Sequence, residues 1–111
     1  ILEQLGIKMI AKNTKYKEEK VIAEVDPKIY DNYVGEYELM PSFVIKISKE
    51  NDKIYAQVTG EDKYEIFPAS EKEYFYKVVD AQITFVEDEN GEIVSLILHQ
   101  NGQDMSANKV K

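Results

Sequence analysis

Side chains that could act as a nucleophile, a general base or a metal ligand include one histidine, five serines and many carboxylates. There is one histidine, His99, and there is no cysteine, so thiolate catalysis and thiolate metal sites are excluded. A catalytic His99 would need a hydroxyl or carboxylate partner, which could lie far away in the sequence. A histidine at the end of a strand, beside an Asn101-Gly102 turn, needs no catalytic role, and this interpretation is favoured.

The serines and the acidic runs do not form a recognisable catalytic or metal motif. No serine lies in a Gly-x-Ser-x-Gly turn, and Ser70 is followed by lysine two residues later rather than the three of a Ser-x-x-Lys motif. The Ser-x-x-Lys spacing occurs at Ser106 and Lys109, but on the last predicted strand, where residues three apart point to opposite faces. Residues 87–92 are acidic but lack the ligand spacing of a calcium loop, and a solvated hairpin tip is favoured. A glycosidase-type carboxylate pair has no specific support. We therefore predict no catalytic residue, no metal site and no cofactor.

Aromatic residues give the best indication of a ligand site. The chain has eight tyrosines and four phenylalanines, residue types that are common in β-strands. If one face of their strands pointed into an incompletely filled barrel, an apolar pocket lined by tyrosine hydroxyls would result. The candidates for its lining are Tyr64, Phe67, Tyr74, Phe75, Tyr76 and Phe85. A packed aromatic core explains the same residues and is favoured, because small barrels usually fill their own interior.

Charge and length narrow the classes of partner. The formal net charge is −7, whereas binding to nucleic acid or to an anionic membrane surface requires a basic surface. We therefore predict no nucleic-acid partner and no direct membrane insertion. The 111 residues fit a single domain. The lack of cysteine does not identify the cellular compartment.

Residues 26–111 have the pattern of a short helix followed by many strands. Asp26 is a good N-cap and Pro27 suits the first helical position, so a helix of about two turns is predicted over residues 27–34, with Gly35 ending it in the left-handed conformation. From residue 36 onward apolar and polar residues alternate, which is typical of strands. The predicted strands are residues 36–40, 43–48, 54–59, 64–68, 73–79, 82–87, 92–100 and 103–110.

The spacing of these strands predicts the fold class. Their connections are too short for crossover helices, so successive strands should pair antiparallel, with Asn90-Gly91 and Asn101-Gly102 as the strongest turn signals. A meander of this size closes most easily into a barrel, which removes its edges. We predict an all-β, antiparallel up-and-down barrel of about eight strands with a short N-terminal helix.

The first 25 residues are predicted to be a linker or the tail of an upstream domain. Residues 1–11 have a roughly helical spacing of apolar residues that Gly6 interrupts. Residues 12–20 are almost entirely polar, and residues 21–25 show a short alternation that suits an edge strand.

Four segments resemble a known family. They are residues 33–39 (YVGEYEL), 65–68 (EIFP), 75–85 (FYKVVDAQITF) and 98–102 (LHQNG). In this order they resemble a family of C-terminal domains appended to bacterial serine β-lactamase-like hydrolases and relatives of penicillin-binding proteins. The resemblance extends over residues 33–110 and does not include residues 1–20.

The resemblance implies a lipocalin-like barrel whose Ser-x-x-Lys and tyrosine catalytic motifs belong to a separate upstream domain. It implies that a serine hydrolase domain in the same polypeptide is the partner, and it allows a homo-oligomer. The parent protein would work outside the cytoplasm of a bacterium. The expected function is a non-catalytic accessory domain that packs on the catalytic domain or a neighbouring subunit and shapes substrate access.

Two other functions stay open on the sequence alone. One is a binding module that holds a small ligand in an apolar, tyrosine-lined barrel, and the other is a minor enzyme that uses His99 with a nearby carboxylate. The candidate ligand-binding or interface residues are His99, Gln100, Tyr64, Phe67, Tyr74, Tyr76 and Phe85.

Overall fold

A computed structural model describes residues 22–111 as one short helix followed by eight strands. The elements are a 3₁₀ helix (Pro27–Asn32), β1 (Gly35–Met40), β2 (Phe43–Glu50), β3 (Lys53–Val58), β4 (Lys63–Pro68), β5 (Glu73–Tyr76), β6 (Ala81–Glu87), β7 (Ile93–Gln100) and β8 (Gln103–Lys109). Each strand pairs antiparallel with the next one, and β8 pairs with β1, so the sheet is a closed barrel. The predicted all-β, eight-stranded antiparallel barrel is confirmed.

The segment that leads into the barrel lies beside β4 but is not the predicted edge strand. The backbone nitrogen of Ala23 donates to the carbonyl oxygen of Pro68 at 2.8 Å, beyond Ile66, the last residue of β4 that pairs with β3. This single bond does not form a β-ladder, and residues 22–25 are not part of a strand. The predictions for residues 1–21 lie outside the described residues, and the boundary at residues 25 and 26 stays a prediction.

The short helix begins where the sequence predicts. The carboxylate of Asp26 accepts a hydrogen bond from the backbone nitrogen of Lys28 at 3.0 Å, and Pro27 occupies the first helical position. Proline is tolerated there because its missing N–H would have no helical partner in any case. The predicted N-terminal cap is therefore confirmed.

The helix has the predicted two turns, but as a 3₁₀ helix of six residues it is tighter and ends two residues before the predicted residue 34. It ends at Asn32, and the backbone nitrogen of Tyr33 donates to the carbonyl oxygen of Tyr30 at 2.9 Å, the three-residue spacing of a 3₁₀ helix. Side chains three residues apart lie one above the other in this geometry. Tyr30 and Tyr33 can therefore both be buried in the barrel, which is where the structure places them.

The prediction that Gly35 ends the helix is wrong. Gly35 is the first residue of β1, and it allows the barrel to close. A Cβ atom at this position would overlap the carbonyl oxygen of Lys111 and lie 2.8 Å from Cε of Lys109. The close approach lets the end of the chain bond to β1: the Glu36 nitrogen donates to the Lys111 oxygen at 3.1 Å, and the Val110 nitrogen donates to the Glu36 oxygen at 2.8 Å.

Aromatic rings fill the end of the barrel that the helix covers. The ring of Tyr33 stacks on Phe85, with centroids 4.2 Å apart and planes at 11°. The ring of Tyr74 meets Tyr30 and Tyr33 edge-on, at centroid distances of 6.0 and 5.7 Å. Both arrangements are favourable for aromatic pairs, so these contacts hold the helix in the mouth of the barrel.

The buried tyrosine hydroxyls bind backbone carbonyls. Tyr33 and Tyr74 both donate to the carbonyl oxygen of Glu71, at 2.5 and 3.0 Å, and Tyr37 donates to the carbonyl oxygen of Tyr33 at 2.7 Å. Burial raises the pKa of all three phenols and also that of Tyr76. The core is therefore built on neutral tyrosines.

The two predicted Asn-Gly turns use different chemistry. Asn101 and Gly102 both have positive φ angles, +56° and +76°, as predicted for a tight hairpin. In the other loop only Gly91 has a positive φ angle, +83°. There the carboxylate of Asp88 accepts hydrogen bonds from the backbone nitrogens of Asn90 and Glu92 at 2.8 and 3.0 Å, so an aspartate holds the loop.

We expect the free energy of unfolding to fall as the pH rises above 10. The folded-state pKa values of the buried tyrosines lie above their ordinary value of 10.0, so their contribution is complete below pH 10 and is lost as the unfolded chain ionises. Denaturant titrations across this range, with phenolate absorbance as a second signal, measure the effect. The variant Tyr74→Phe should show a shallower decline, and a pH-independent stability of the unmodified chain above pH 10 would contradict this expectation.

We expect Gly35→Ala to lower the free energy of unfolding by more than about 1 kcal/mol, because the added methyl group overlaps the end of the chain. Gly60→Ala is the matched control: Gly60 also has a positive φ angle, +81°, but a Cβ atom there meets nothing within 4 Å. Urea unfolding of both variants separates the close contact from the backbone strain. Equal losses of unfolding free energy in the two variants would mean that the close contact at Gly35 does not restrict the closure of the barrel.

Candidate functional site

The outer surface of the barrel has two chemically different sides. On β1 to β4 most outward side chains are charged, and they are Glu36, Glu38, Lys46, Glu50, Lys53, Lys63 and Glu65. On β5 to β7 a contiguous group carries no formal charge with histidine neutral, although 32% of the chain is charged. We call this group the uncharged face, and its members are Phe75, Gln82, Thr84, Val86, Ser95, Ile97 and His99.

Strand register aligns part of the uncharged face in one row across the sheet. Phe67 of β4 lies opposite Phe75 of β5, and Phe75 lies opposite Gln82 of β6. Gln82 lies opposite His99 of β7, and His99 lies opposite Asp104 of β8. Three segments far apart in the sequence, residues 65–68, 75–85 and 98–102, therefore meet on the outside of the barrel.

The aromatic end of this row lies outside the barrel. Phe67 follows the inward-facing Ile66, and its ring contacts Phe75 at a centroid distance of 5.9 Å. The ammonium group of Lys77 lies 4.2 Å from the centroid of Phe67. Phe75 is only 2% exposed, although it is not part of the interior core. Phe67 and Phe75, both predicted with the other aromatics to line the interior, are thus on the opposite side of the wall.

His99 is held by two hydrogen bonds on the outer surface. Its Nε2 atom lies 2.8 Å from Oγ1 of Thr84, and its Nδ1 atom lies 2.7 Å from Oδ1 of Asp104. An ionised carboxylate only accepts, so Nδ1 donates to Asp104, and in the neutral ring Nε2 accepts from the Thr84 hydroxyl. The order hydroxyl, imidazole, carboxylate is also that of a Ser-His-Asp triad.

Sequence reasoning identified His99 but not its two partners. Asp104 lies directly opposite His99 across the Asn101-Gly102 hairpin, and the predicted turn would have indicated this pair. Thr84 lies on the neighbouring strand β6, opposite Ile97. Its contact with His99 is diagonal, which only the register between β6 and β7 reveals.

A shallow groove lies beside His99. It has a volume of about 390 Å³, and its walls include Phe75, Gln82, Thr84 and His99 of the uncharged face, with Glu73 at its margin. A second groove, of about 560 Å³, separates residues 22–27 from β3 and β4. Both grooves lie outside the filled core, so neither is the predicted pocket inside the barrel.

The other predicted site residues lie inside the barrel, away from His99. Tyr74, Tyr76 and Phe85 belong to the core, and Tyr64 packs against it, 6.4 Å from Tyr76 between ring centroids. The structure therefore does not bring the predicted residues together: four aromatics face the interior, whereas Phe67 and His99 face outward.

Gln100 is an unusual buried residue. It follows His99 on β7, points to the other side of the wall and is 2% exposed. Its backbone pairs with Ala81 on one side and Gln103 on the other. Neither the oxygen nor the nitrogen of its side-chain amide has a hydrogen-bond partner among the described residues, a state that costs stability in a protein interior.

Residues 22–111 contain no group of three or more His, Cys, Asp and Glu side chains that is arranged to hold a metal ion. Within this same part of the chain, no helix has both the length and the apolar character needed to cross a membrane. The predicted lack of catalytic residues and cofactors stays a prediction.

Comparison with known proteins agrees with the family indicated by the sequence motifs. Residues 19–109, most of the chain, match the domain of unknown function DUF3471. The chain belongs to the DUF3471 family. Penicillin-binding protein 4* of Bacillus subtilis (strain 168) is 30% identical to this DUF3471 domain over 87 residues, which are 78% of this chain and 19% of that protein. The chain thus spans about a fifth of the relative that it matches, and the predicted relation to penicillin-binding proteins is confirmed at the level of the family.

We expect Gln100→Leu to raise the free energy of unfolding of this DUF3471 domain by about 1–2 kcal/mol, because leucine leaves no buried polar atom unpaired. Urea unfolding measures the change. The control is Gln103→Leu at the exposed neighbour across the hairpin, where a change within about 0.5 kcal/mol is expected. A loss of stability in Gln100→Leu would contradict the expectation and would mean that a bound molecule pairs the amide in solution.

Proposed function

We propose that this DUF3471 domain is a non-catalytic accessory domain of a serine β-lactamase-like hydrolase. In this proposal it packs on the catalytic domain, or on a neighbouring subunit, and shapes the access of substrates. The observation that carries the proposal is the match to Penicillin-binding protein 4*, which extends over 78% of this chain but only 19% of that protein. A match of this size is expected for one domain within a longer polypeptide.

The interior of the barrel supports a function that uses the outer surface. The core is occupied by close-packed apolar and aromatic side chains, and the hydroxyls of Tyr33, Tyr37 and Tyr74 are bonded to backbone carbonyls. A small barrel filled in this way leaves little space for a ligand. The uncharged face, in contrast, offers aliphatic and uncharged polar side chains, and the centres of protein interfaces are likewise depleted of charged residues.

A catalytic interpretation of Thr84, His99 and Asp104 has weaker support. The carboxylate of a catalytic triad is buried, whereas the side chain of Asp104 is 73% exposed. A nucleophilic hydroxyl commonly lies on a strained turn that presents it to the substrate, whereas Thr84 lies within the regular strand β6. We interpret the two hydrogen bonds as positioning the imidazole.

We expect the 111-residue chain alone to hydrolyse neither a chromogenic β-lactam nor an aryl ester nor a peptide above the buffer rate. His99→Ala and Thr84→Val are the diagnostic variants, because they remove the only groups arranged as a triad on the described surface. Their rates should equal that of the unmodified chain. Turnover by the unmodified chain that disappears in both variants would overturn the non-catalytic assignment.

The accessory role itself is tested in the longer polypeptide, that is, the proposed protein that contains this barrel together with an upstream hydrolase domain. The protein is measured with and without the barrel. The quantity to compare is the ratio of kcat/KM for a bulky substrate to kcat/KM for a small one, because this ratio measures discrimination. Removal of the barrel should change the ratio while the small substrate is still hydrolysed. An unchanged ratio in a truncated protein that hydrolyses the small substrate normally would overturn the role in substrate access.

A lipocalin-like module for a small ligand is the second candidate, and Gln100 is the observation that favours it. Its buried amide offers two N–H groups and an oxygen that find no partner among the described side chains and backbone. A ligand with both a donor and an acceptor would satisfy them. Destabilisation by Gln100→Leu would support this candidate, and stabilisation would count against it.

A further inference from the structure

We propose that the uncharged face is the surface through which this barrel docks on the domain that precedes it in the same polypeptide. The inference rests on the proposed function, because it requires a hydrolase-type domain upstream. The inference goes further, because it names the side of the barrel that makes the contact and the chemistry of the partner surface. The partner surface is apolar, with hydrogen-bonding groups for Gln82 and His99 and without an excess of charge.

The first argument is the contrast between the two sides of the barrel. Ile97 lies at the middle of the uncharged face, opposite Thr84 on β6 and Ser106 on β8. It is an outward-facing aliphatic residue. Its neighbours on the same side of β7 are Ser95 and His99, which are also uncharged. The members of this face carry no formal charge, so docking through them avoids the main cost of burying charged groups. The adjoining carboxylates, Glu73 and Asp104, lie at its two margins, opposite Thr84 and His99. Docking through β1 to β4 would bury several charges.

The second argument is the position at which the chain reaches the barrel. Ala23 is hydrogen-bonded to Pro68, the residue directly after Phe67, and Ile22 and Phe67 line the same groove. The preceding polypeptide therefore arrives at the Phe67 end of the row that continues through Phe75 to His99. A domain tethered through this segment is kept near the uncharged face, which raises its effective concentration there.

The third argument is that the face is already ordered. The imidazole of His99 is fixed by Thr84 and Asp104, and Phe75 is almost fully buried between its neighbours. Side chains that are fixed before binding lose little conformational freedom when they bind.

The charge of the chain favours this partner over a second copy of the barrel. The formal net charge is −7, so two copies repel each other, and such charge tends to keep proteins monomeric. A covalently connected domain needs no encounter between two like-charged molecules. An upstream domain is therefore the occupant that the charge and the chain path both favour.

The absence of cysteine from the chain allows a direct test by thiol alkylation. Ser95→Cys places a thiol on the uncharged face, and Ser48→Cys is the matched control, because Ser48 is also half-buried and faces outward, on β2. Alkylation rates are measured at each site, by mass spectrometry of the labelled peptide, in the 111-residue chain and in the longer polypeptide.

Alkylation of Ser95→Cys should be slower in the longer polypeptide by about tenfold or more, as expected for a group protected except during local opening. Ser48→Cys should react at similar rates in the two proteins. Equal rates for Ser95→Cys in the two proteins would overturn the proposal. Protection of Ser95→Cys in the isolated chain that grows with protein concentration would also overturn it, because the occupant would then be a second copy.

A second variant pair tests whether the protection of Ser95→Cys depends on contact at the uncharged face. Ile97→Glu puts a charge at the centre of the uncharged face and should abolish the protection of Ser95→Cys in the longer polypeptide. Val44→Glu, at an outward aliphatic residue of β2, should preserve it. Protection that survives Ile97→Glu would count against docking through this face.

The failure of this inference can be told apart from failure of the proposed function. If removal of the barrel changes substrate discrimination while Ser95→Cys is unprotected, the accessory role stands and the docking surface is wrong. If Ser95→Cys is protected while discrimination is unchanged by removal, the docking surface stands and the role in substrate access is wrong.

Discussion

The pairing of β1 with β8 is the constraint on which the rest of the structure depends. Without it the meander would have two open edges, and its inner side would be accessible to water. Closure requires the last residues of the chain to pass against Gly35, where only glycine leaves enough space. Once the sheet is closed, its circumference is fixed and the interior has a set volume. The aromatic side chains and the helix that covers one end must fit that volume.

The filled interior determines where a partner can be recognised. Tyrosines whose hydroxyls are bonded to backbone carbonyls hold the helix in the mouth of the barrel, so the rings of Tyr33 and Phe85 act as structural core. A barrel of this kind interacts through its outer surface or through a small polar position such as Gln100. The outer surface is uneven in its chemistry: charged side chains on β1 to β4 suit water, whereas the uncharged face suits another protein surface.

Most of the fold was predictable because the alternation of apolar and polar residues is a local signal. The strand ends agree with the structure to within two residues except at β5, which ends at Tyr76 instead of the predicted residue 79. The role of Gly35 was not predictable from local patterns, because the atoms that exclude a side chain belong to Lys109 and Lys111. The 3₁₀ geometry of the helix likewise depends on tertiary contacts, since both Tyr30 and Tyr33 must reach the core.

The sequence predicted several residues of the candidate site, but it did not predict how they are arranged. His99 and Gln100 are neighbours in sequence, yet successive residues of a strand point to opposite sides, so they cannot contribute to one contact. The same rule separates Phe67 from the interior aromatics. The row from Phe67 to Asp104 depends on the register of four successive strand pairs. A sequence read without pairing partners does not supply that register.

The hydrogen bonds of His99 illustrate how surroundings decide what a set of groups does. The same order of hydroxyl, imidazole and carboxylate performs catalysis when the carboxylate is buried and the hydroxyl is presented to a substrate. Here Asp104 is exposed and Thr84 is part of a regular strand, so the bonds mainly restrict the rotation of the imidazole. A restricted imidazole opposite Gln82 is a defined polar contact on the uncharged face. For the docking that we propose, the three groups would give the surface an orientation, because a partner would have to match a fixed imidazole as well as the shape around it.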